Sequence, residues 1–390
     1  MYSFTLANAY FITIRSDLQE YFCIFLSPLP FFKTKTRFYR AAAQNTPQLK
    51  AASFPEARRG IFSIHFLQKS GIGFDEIFLR KAPRRYAAAV DTMTFLPEGR
   101  GGFRPASRAE LLRARDEKRV CEGTAALCDR EHNMIVDLGF MRGVIPRAEG
   151  AYSPTGEVRD IAVISRVGKD VCFTVTGVAS DVDGSEYALL SRREAMRLCA
   201  EKYISRLRPG DVIPARITRP DSFGAFADVG CGIVGLLPID AISVSRIAHS
   251  SDRFRAGQDI MAVVSAVGGG RVTLSHRELL GTWEENAARF EPGQTVAGVV
   301  RSVERYGIFV ELTPNLAGLA EPGTAVSAGE RVSVYIKNII PERMKVKLVI
   351  IDRLPPAELP FVYDYPAAAH ISRWRYSPAE CAKVIESVYD

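Results

Sequence analysis

One sequence pattern occurs twice, 83 residues apart, and it constrains the fold more than any other feature. The segment Phe223-Gly-Ala-Phe226 returns as Tyr306-Gly-Ile-Phe309. A Pro-Gly pair upstream and a Gly-Leu pair downstream return at the same distance, at residues 209 and 292 and at residues 235 and 318. A repeat of fixed period is one supersecondary unit used again. The sequence therefore predicts at least two copies of one small domain.

The residues after Phe223 alternate in the manner of a strand with one buried face. Three apolar residues point one way and can face a core: Ala225, Ala227 and Val229. This leaves Phe226 and Asp228 on the opposite face. Gly224 lets the backbone bend sharply beside Phe223. We therefore expect Phe223 and Phe226 to lie together near a solvent-facing surface.

Exposed aromatic rings on a polar face can stack unpaired bases, at roughly 1–3 kcal/mol per base. The alternative is that these rings are ordinary core residues, since large apolar side chains are usually buried. The second copy places Tyr306 and Phe309 at the same register, with Phe309 and Glu311 on the outward face. Recurrence at one surface register favours a binding function over simple packing.

Five landmarks in the better copy occur in a familiar order. They are Pro209-Gly-Asp211, the apolar alternation after it, Phe223-Gly-Ala-Phe-x-Asp-x-Gly230, Gly235-Leu-Leu-Pro238 and Arg271-Val-Thr-Leu-Ser-His-Arg277. This order resembles the S1-motif RNA-binding domain, a five-stranded OB-fold barrel. The connector Leu279-Leu-Gly-Thr-Trp283 is similar to those between tandem barrels in the bacterial small-subunit ribosomal protein S1 family. The resemblance implies an all-β chain of tandem five-stranded OB-fold (S1-type) barrels joined by short helices.

A third, weaker copy precedes these two. Met134-Ile-Val-Asp-Leu-Gly139 lines up with residues 225–230, and Gly143-Val-Ile-Pro146 lines up with Gly235-Leu-Leu-Pro238. Where the central copy has Phe223 and Phe226, this copy has His132 and Ile135. We expect an intact barrel without a stacking platform, and a contact with protein is favoured over a contact with RNA.

These patterns predict the following organisation. The segments are 1–92, a disordered leader; 93–118, a linker and helix; 119–194, a degenerate S1-like barrel; 195–206, a helical connector; 207–278, an S1 domain; 279–291, a second helical connector; 292–352, an S1 domain with a shorter loop; and 353–390, a tail with a capping helix that begins at Ser377.

Residues 1–92 differ from the rest in charge. They hold 13 Lys and Arg against 6 Asp and Glu, whereas the remaining residues hold 38 of each sign. Three interpretations stay open: a start of translation at Met93 with an unstructured or artefactual upstream segment, an organelle transit peptide, or a basic RNA-binding arm. The apolar run Tyr21–Phe32 is too short to span a bilayer, so no membrane partner is expected.

The candidate site follows from the outward residues and the resemblance. We expect stacking by Phe223, Phe226, Tyr306 and Phe309. We expect contacts with the RNA backbone from Arg271, Lys345 and Lys347. Asp228 is a candidate for hydrogen bonds with a base or ribose. The loop 239–255 adds Arg246, His249 and Arg253, because loops at a barrel mouth often carry ligand contacts.

The sequence does not favour catalysis. Its seven cysteines occur singly, without metal-ligand spacing. Gly230-Cys-Gly-Ile-Val-Gly235 matches G-x-G-x-x-G, but apolar alternation and Pro238 follow it where a dinucleotide site needs a helix. We therefore expect no cofactor, no metal, no small-molecule substrate and no enzymatic activity.

The resemblance implies a specific function. It implies non-catalytic binding of single-stranded RNA, with mRNA and the small ribosomal subunit as partners, in a cytoplasmic protein associated with the ribosome, or an organellar one if residues 1–92 are a transit peptide. The alternatives are an RNA-processing or decay factor and a protein-docking scaffold.

Overall fold

The computed structural model describes residues 9–16, 19–26, 95–153, 159–356 and 363–389. The chain divides into two units, residues 1–82 and 83–390. In the first unit an antiparallel hairpin pairs β1 (Ala9–Ser16) with β2 (Gln19–Leu26). The other residues of 1–92 lie outside the described residues, and so do the interpretations of that segment as a disordered leader, a transit peptide or a basic arm.

The second unit contains three closed barrels of five strands each, which confirms the predicted all-β fold. The first barrel consists of β3 (Cys121–Cys128), β4 (Met134–Asp137), β5 (Arg142–Ile145), β6 (Asp170–Ser180) and β7 (Glu186–Ser191). The second consists of β8 (Val212–Asp221), β9 (Gly224–Gly230), β10 (Ile233–Pro238), β11 (Asp259–Gly268) and β12 (Arg271–Ser275). The third consists of β13 (Thr295–Glu304), β14 (Gly307–Thr313), β15 (Leu316–Ala320), β16 (Arg331–Ile340) and β17 (Lys345–Leu354).

All three barrels close in the same way. The third strand pairs in parallel with the fifth, while the other neighbouring strands pair antiparallel. The first strand of each barrel carries a β-bulge at the same place, after Ala125, Ile217 and Val300. A bulge adds one residue to a strand and reverses the face of the residues that follow it. This bulge therefore determines which side chains stand beside the outward aromatic rings.

Short helices join the barrels, as predicted: α3 (Arg192–Lys202) connects the first to the second, and α4 (Trp283–Ala287) connects the second to the third. Of the other two helices, α1 (Arg108–Asp116) precedes the first barrel and α2 (Ile161–Ile164) lies between β5 and β6. Short 3₁₀ turns lie at Arg147–Glu149, Ile204–Arg206, Ile239–Ala241, Ser250–Asp252, Arg277–Leu280 and Pro341–Arg343. Polar caps fix the helix starts: Ser191 accepts the Glu194 N–H, and Thr282 forms a capping box with Glu285.

The cores are continuous with the connectors. Helix α3 buries Ala195, Cys199 and Tyr203 in the apolar cluster that fills the second barrel. Helix α4 contributes Trp283 to the cluster of the third barrel, together with Trp374 and Tyr376. The connectors therefore pack as parts of the barrels rather than as free tethers.

The C-terminal tail ends in a hairpin and not in the predicted capping helix. Strand β18 (Arg373–Arg375) pairs antiparallel with β19 (Glu386–Val388). The side chain of Ser377, the predicted start of this helix, accepts the N–H of Ile385 instead. The N–H of Tyr376 also bonds to the carbonyl of Ile385. The Ser377 hydroxyl is therefore bonded across the hairpin and does not cap a helix. The prediction of a helix was wrong.

Candidate nucleic-acid interface

Phe223 and Phe226 form an edge-to-face aromatic pair on the outside of the second barrel. Their ring centroids are 5.7 Å apart and the ring planes meet at 83°. Phe223 is 51% exposed, and Phe226 is half-buried. Gly224 makes this arrangement possible, because a Cβ there would lie 2.3 Å from the carbonyl oxygen of Leu237. The close approach of the two backbones holds both rings at the strand's start.

The third barrel repeats this geometry. The centroids of Tyr306 and Phe309 are 6.1 Å apart, with an interplanar angle of 86°. Tyr306 is 66% exposed, and Gly307 again lies against a backbone carbonyl, that of Ala320. Two independent copies of one chain segment therefore present the same pair of rings to solvent. Packing alone gives no reason to keep a large aromatic side chain exposed in both.

Strand register places each inner ring in a row of outward side chains that crosses four strands. In the second barrel the row is Arg219, Phe226, Leu236 and Thr273. In the third barrel it is Ser302, Phe309, Leu319 and Lys347. In the first barrel it is Leu127, Ile135, Val144 and Leu189. The first barrel therefore has an aliphatic row where the other two barrels have an aromatic ring and a cation.

The candidate backbone-binding residues lie on the fifth strands of their barrels. Arg271 is exposed on β12, two residues before Thr273 and so on the same face. Lys345 and Lys347 are exposed on β17, where they flank the buried Val346. The register thus brings Lys347 into the row of Phe309, and Arg271 beside the row of Phe226.

Arg219 belongs to this surface and was not among the predicted site residues. Its guanidinium carbon lies over the Phe226 ring, 4.7 Å from the centroid. Alternation from the buried Ala215 and Ile217 would turn residue 219 inward, and the bulge after Ile217 turns it outward. The repeat gives one sequence signal for this position. Because Phe226 and Phe309 are equivalent, the residues that face them on the preceding strands, Arg219 and Ser302, are equivalent too.

Asp228 does not lie on the binding surface, which corrects the prediction for this residue. It is 2% exposed, and its carboxylate accepts the N–H groups of Glu98, Gly230 and Gly232. Burial, with the charge of Glu98 beside it, raises the pKa of Asp228 to about 7. Its partners show that it holds the turn between β9 and β10 against the first barrel's leading segment.

A buried ion pair completes this junction between the first and second barrels. Nε and Nη2 of Arg192, at the start of α3, donate to the two carboxylate oxygens of Glu98, at 2.7 and 3.0 Å. Arg192 is 2% exposed. The charge of Arg192 and its hydrogen bonds keep the pKa of Glu98 lowered although burial opposes this. The ion pair of Arg192 and Glu98 therefore stabilises the contact between the first and second barrels.

Glu311 and Arg253 are also buried, although sequence alternation and loop position predicted that they face solvent. Arg253 is fully buried and its Nη2 lies 2.5 Å from Glu311. Arg301 donates two further hydrogen bonds to the same carboxylate, at 2.7 and 3.1 Å. Of the other loop candidates, Arg246 is exposed, and Nδ1 of His249 accepts the N–H of Ser251.

Other kinds of site find little support in the described part of the chain. No group of His, Cys, Asp and Glu there could hold a metal ion. No helix among these residues is both long and apolar enough to cross a membrane. A cleft of about 810 Å³ lies between the third barrel, its connector and the tail, and is lined by residues such as Asn286, Arg331 and Trp374. The aromatic pairs are not part of its lining.

Comparison with known protein families gives a match that covers this surface. Residues 206–277 match the family model described as the S1 RNA binding domain, so the second barrel with its flanking residues is an S1 domain. This match includes Phe223, Phe226 and Arg219.

Curated relatives extend the similarity across more of the chain. The small ribosomal subunit protein bS1 of Leuconostoc lactis is 26% identical over 246 residues, 58% of this chain and 55% of that protein. The protein of the same name from Staphylococcus aureus strain COL is 27% identical over 241 residues, 57% and 59% of the two chains. The bS1 homolog of Bacillus subtilis strain 168 is 26% identical over 258 residues, 61% and 65%. The matches thus span between about half and two thirds of these relatives' lengths.

Proposed function

We propose, from the S1 RNA binding domain at residues 206–277, that the chain binds single-stranded RNA without catalysis through its second and third barrels. One observation carries the proposal: the exposed edge-to-face pairs Phe223–Phe226 and Tyr306–Phe309 recur with nearly the same geometry. Ring faces accept any unpaired base, so we expect weak sequence preference, with pyrimidine-rich strands favoured if any are.

Charge supports binding by stacking rather than by a strong field. Residues 93–390 hold equal numbers of basic and acidic side chains. The cations that register places beside the rings are Arg219, Arg271, Lys345 and Lys347, and the exposed Arg305 precedes Tyr306 in the sequence. Each phosphate contact to a single strand steepens the salt dependence of binding by about 0.7 in log–log slope. We therefore expect a shallow slope, in keeping with a handful of phosphate contacts.

The names of the relatives lead to a proposal for the complex in which the chain binds RNA. Their name, small ribosomal subunit protein bS1, leads us to propose a ribosomal protein S1-type role in which the chain holds mRNA at the small ribosomal subunit in the cytoplasm. Cosedimentation of the full chain with small subunits tests this, with and without an added single-stranded RNA. Failure to cosediment would leave the RNA-binding proposal standing and remove the ribosomal one.

For the first barrel the aliphatic row favours a contact with protein. Leu127 is 49% exposed, and neither an aromatic ring nor a cation stands in its row. Hydrocarbon side chains gain from burial against an apolar partner and offer a base no ring to stack on. We propose that this barrel binds another protein and does not add to the affinity for RNA.

The test of RNA binding is titration of a fluorescent single-stranded RNA with the full chain and its Phe223→Ala/Phe226→Ala variant. We expect at least a tenfold loss of affinity, since two stacked rings are removed at roughly 1–3 kcal/mol each. Ile135→Ala is the matched control, because Ile135 occupies the register of Phe226 in the first barrel; we expect its affinity within about twofold of wild type, by the same stacking argument. Equal affinities of the double variant and the control would favour a scaffold. Turnover of the labelled RNA by the pure chain would favour a processing enzyme.

A further inference from the structure

Arg219 stands at the edge of the aromatic pair in a fixed position. Its guanidinium carbon is 4.7 Å from the centre of the Phe226 ring, a distance at which a cation is attracted to the ring face. Its Nη2 lies 3.5 Å from Asp221. The side chain is nevertheless 65% exposed, so its donors face solvent beside the rings.

The third barrel has the opposite arrangement of charge in the equivalent row. The partner of Phe309 on the preceding strand is Ser302, where the partner of Phe226 is Arg219. At the far end of the row, Lys347 of the third barrel replaces Thr273 of the second. Within the row, the cation therefore stands on the β8 side of the ring in the second barrel and on the β17 side in the third, while Arg271 and Lys345 lie two residues from the row on the fifth strand of each barrel.

We propose that Arg219 binds the phosphate of the nucleotide whose base stacks at Phe223. By the same register, a phosphate is bound on the β8 side of the ring in the second barrel and on the β17 side in the third, in addition to the fifth-strand contacts expected of Arg271 and Lys345. This proposal rests on the proposed function and specifies its contacts.

The chemistry of the guanidinium supports a phosphate ligand. It is planar, with N–H donors in a rigid fork that fits two phosphate oxygens while one face stacks on an aromatic ring. Asp221 is a partly exposed partner at 3.5 Å from the exposed Arg219 side chain, and ion pairs near the surface contribute little, so a phosphate can replace it. Because Arg219 covers part of Phe226, the more exposed Phe223 is left as the main stacking ring.

The experiment titrates a fluorescent single-stranded RNA with the full chain at several salt concentrations. Arg219→Ser copies the residue of the third barrel. We expect it to reduce the magnitude of the log–log salt slope by about 0.7, the value for one phosphate contact. At low salt its affinity should fall roughly three- to tenfold and to a similar extent for all sequences. Arg206→Ser removes an exposed cation from the connector and should leave slope and affinity unchanged.

Two further variants keep the net charge and change either the position of the cation or its shape. Arg219→Ser/Thr273→Lys moves the cation to the side used in the third barrel; net charge is kept, and we expect the affinity to remain below wild type. Arg219→Lys keeps the charge but lacks the planar fork, so the salt slope should be retained while affinity falls about two- to threefold.

The outcomes separate this inference from the function on which it rests. If Phe223→Ala weakens binding but Arg219→Ser matches Arg206→Ser in slope, the phosphate role of Arg219 is wrong and RNA binding stands. Full recovery of affinity in the Arg219→Ser/Thr273→Lys variant would overturn the assignment of sides. If Phe223→Ala has no effect either, the stacking function fails and this inference fails with it.

Discussion

Arg253 of the second barrel places its guanidinium 2.5 Å from the carboxylate of Glu311 in the third barrel, and both side chains are buried. Arg301 binds the same carboxylate from its own barrel. Asn315 adds backbone contacts across the junction, since its amide binds Val244 on one side and Arg277 and Gly281 on the other. The two barrels that carry aromatic pairs are thereby joined as one body.

The first prediction concerns this junction. Glu311→Gln removes the carboxylate that pairs with the buried Arg253 and with Arg301, which keeps Asp252 at 3.5 Å. Removal of one partner from a buried ion pair costs roughly 3–5 kcal/mol. We expect a loss of this size in the free energy of unfolding, measured by urea titration. Glu321→Gln is the matched control in the same barrel, because its pair with Lys337 is exposed and should contribute at most about 1 kcal/mol. Equal stabilities of the two variants would contradict the assigned role.

The second prediction concerns Gly224. A Cβ there meets the backbone of Leu237 and Pro238 at 2.3–3.1 Å, and backbone cannot yield as a side chain does. Gly224→Ala should therefore destabilise the second barrel by roughly 1–3 kcal/mol and weaken RNA binding, because Phe223 is displaced. Gly268→Ala is the control, since nothing lies within 4 Å of the added carbon. Thermal unfolding and RNA titration of both variants test this, and an unaffected Gly224→Ala would contradict it.

The third prediction concerns pH. Burial raises the pKa of Asp228 from an ordinary 3.8 to about 7, so the folded chain keeps a proton that the unfolded chain loses at lower pH. The contribution of Asp228 to stability is thus fully present below about pH 4 and is lost as pH rises through about 7. The difference in unfolding free energy between wild type and Asp228→Asn should fall with pH across this window. A constant or rising difference would contradict the assignment.

Sequence reasoning recovered the features that depend on local periodicity. Alternation in β9 correctly placed Ala225 and Ala227 inside and Phe226 outside, because a strand's side chains alternate between its two faces. The repeat with its Pro-Gly and Gly-Leu landmarks gave the tandem barrels. Both follow from residues close together in the chain.

The corrections arise from contacts and strand irregularities that local periodicity does not encode. Asp228 obeys the alternation, but Glu98 and the first barrel cover the face on which it lies. Arg219 breaks the alternation because of a bulge that the sequence does not announce. Ser377 has the signature of a helix cap, yet Ile385 supplies the N–H that it accepts. Local patterns cannot show which surface another part of the chain will occupy.

The most direct measurement of the central claim is photocrosslinking of the full chain to single-stranded RNA that contains 4-thiouridine, with the linked peptides identified by mass spectrometry. A base stacked on a ring reacts with that ring or its neighbours, so crosslinks should concentrate on Phe223, Phe226, Tyr306 and Phe309. The aliphatic row at Ile135 should remain unlabelled. Crosslinks spread evenly over the three barrels, or concentrated on the first, would contradict the account.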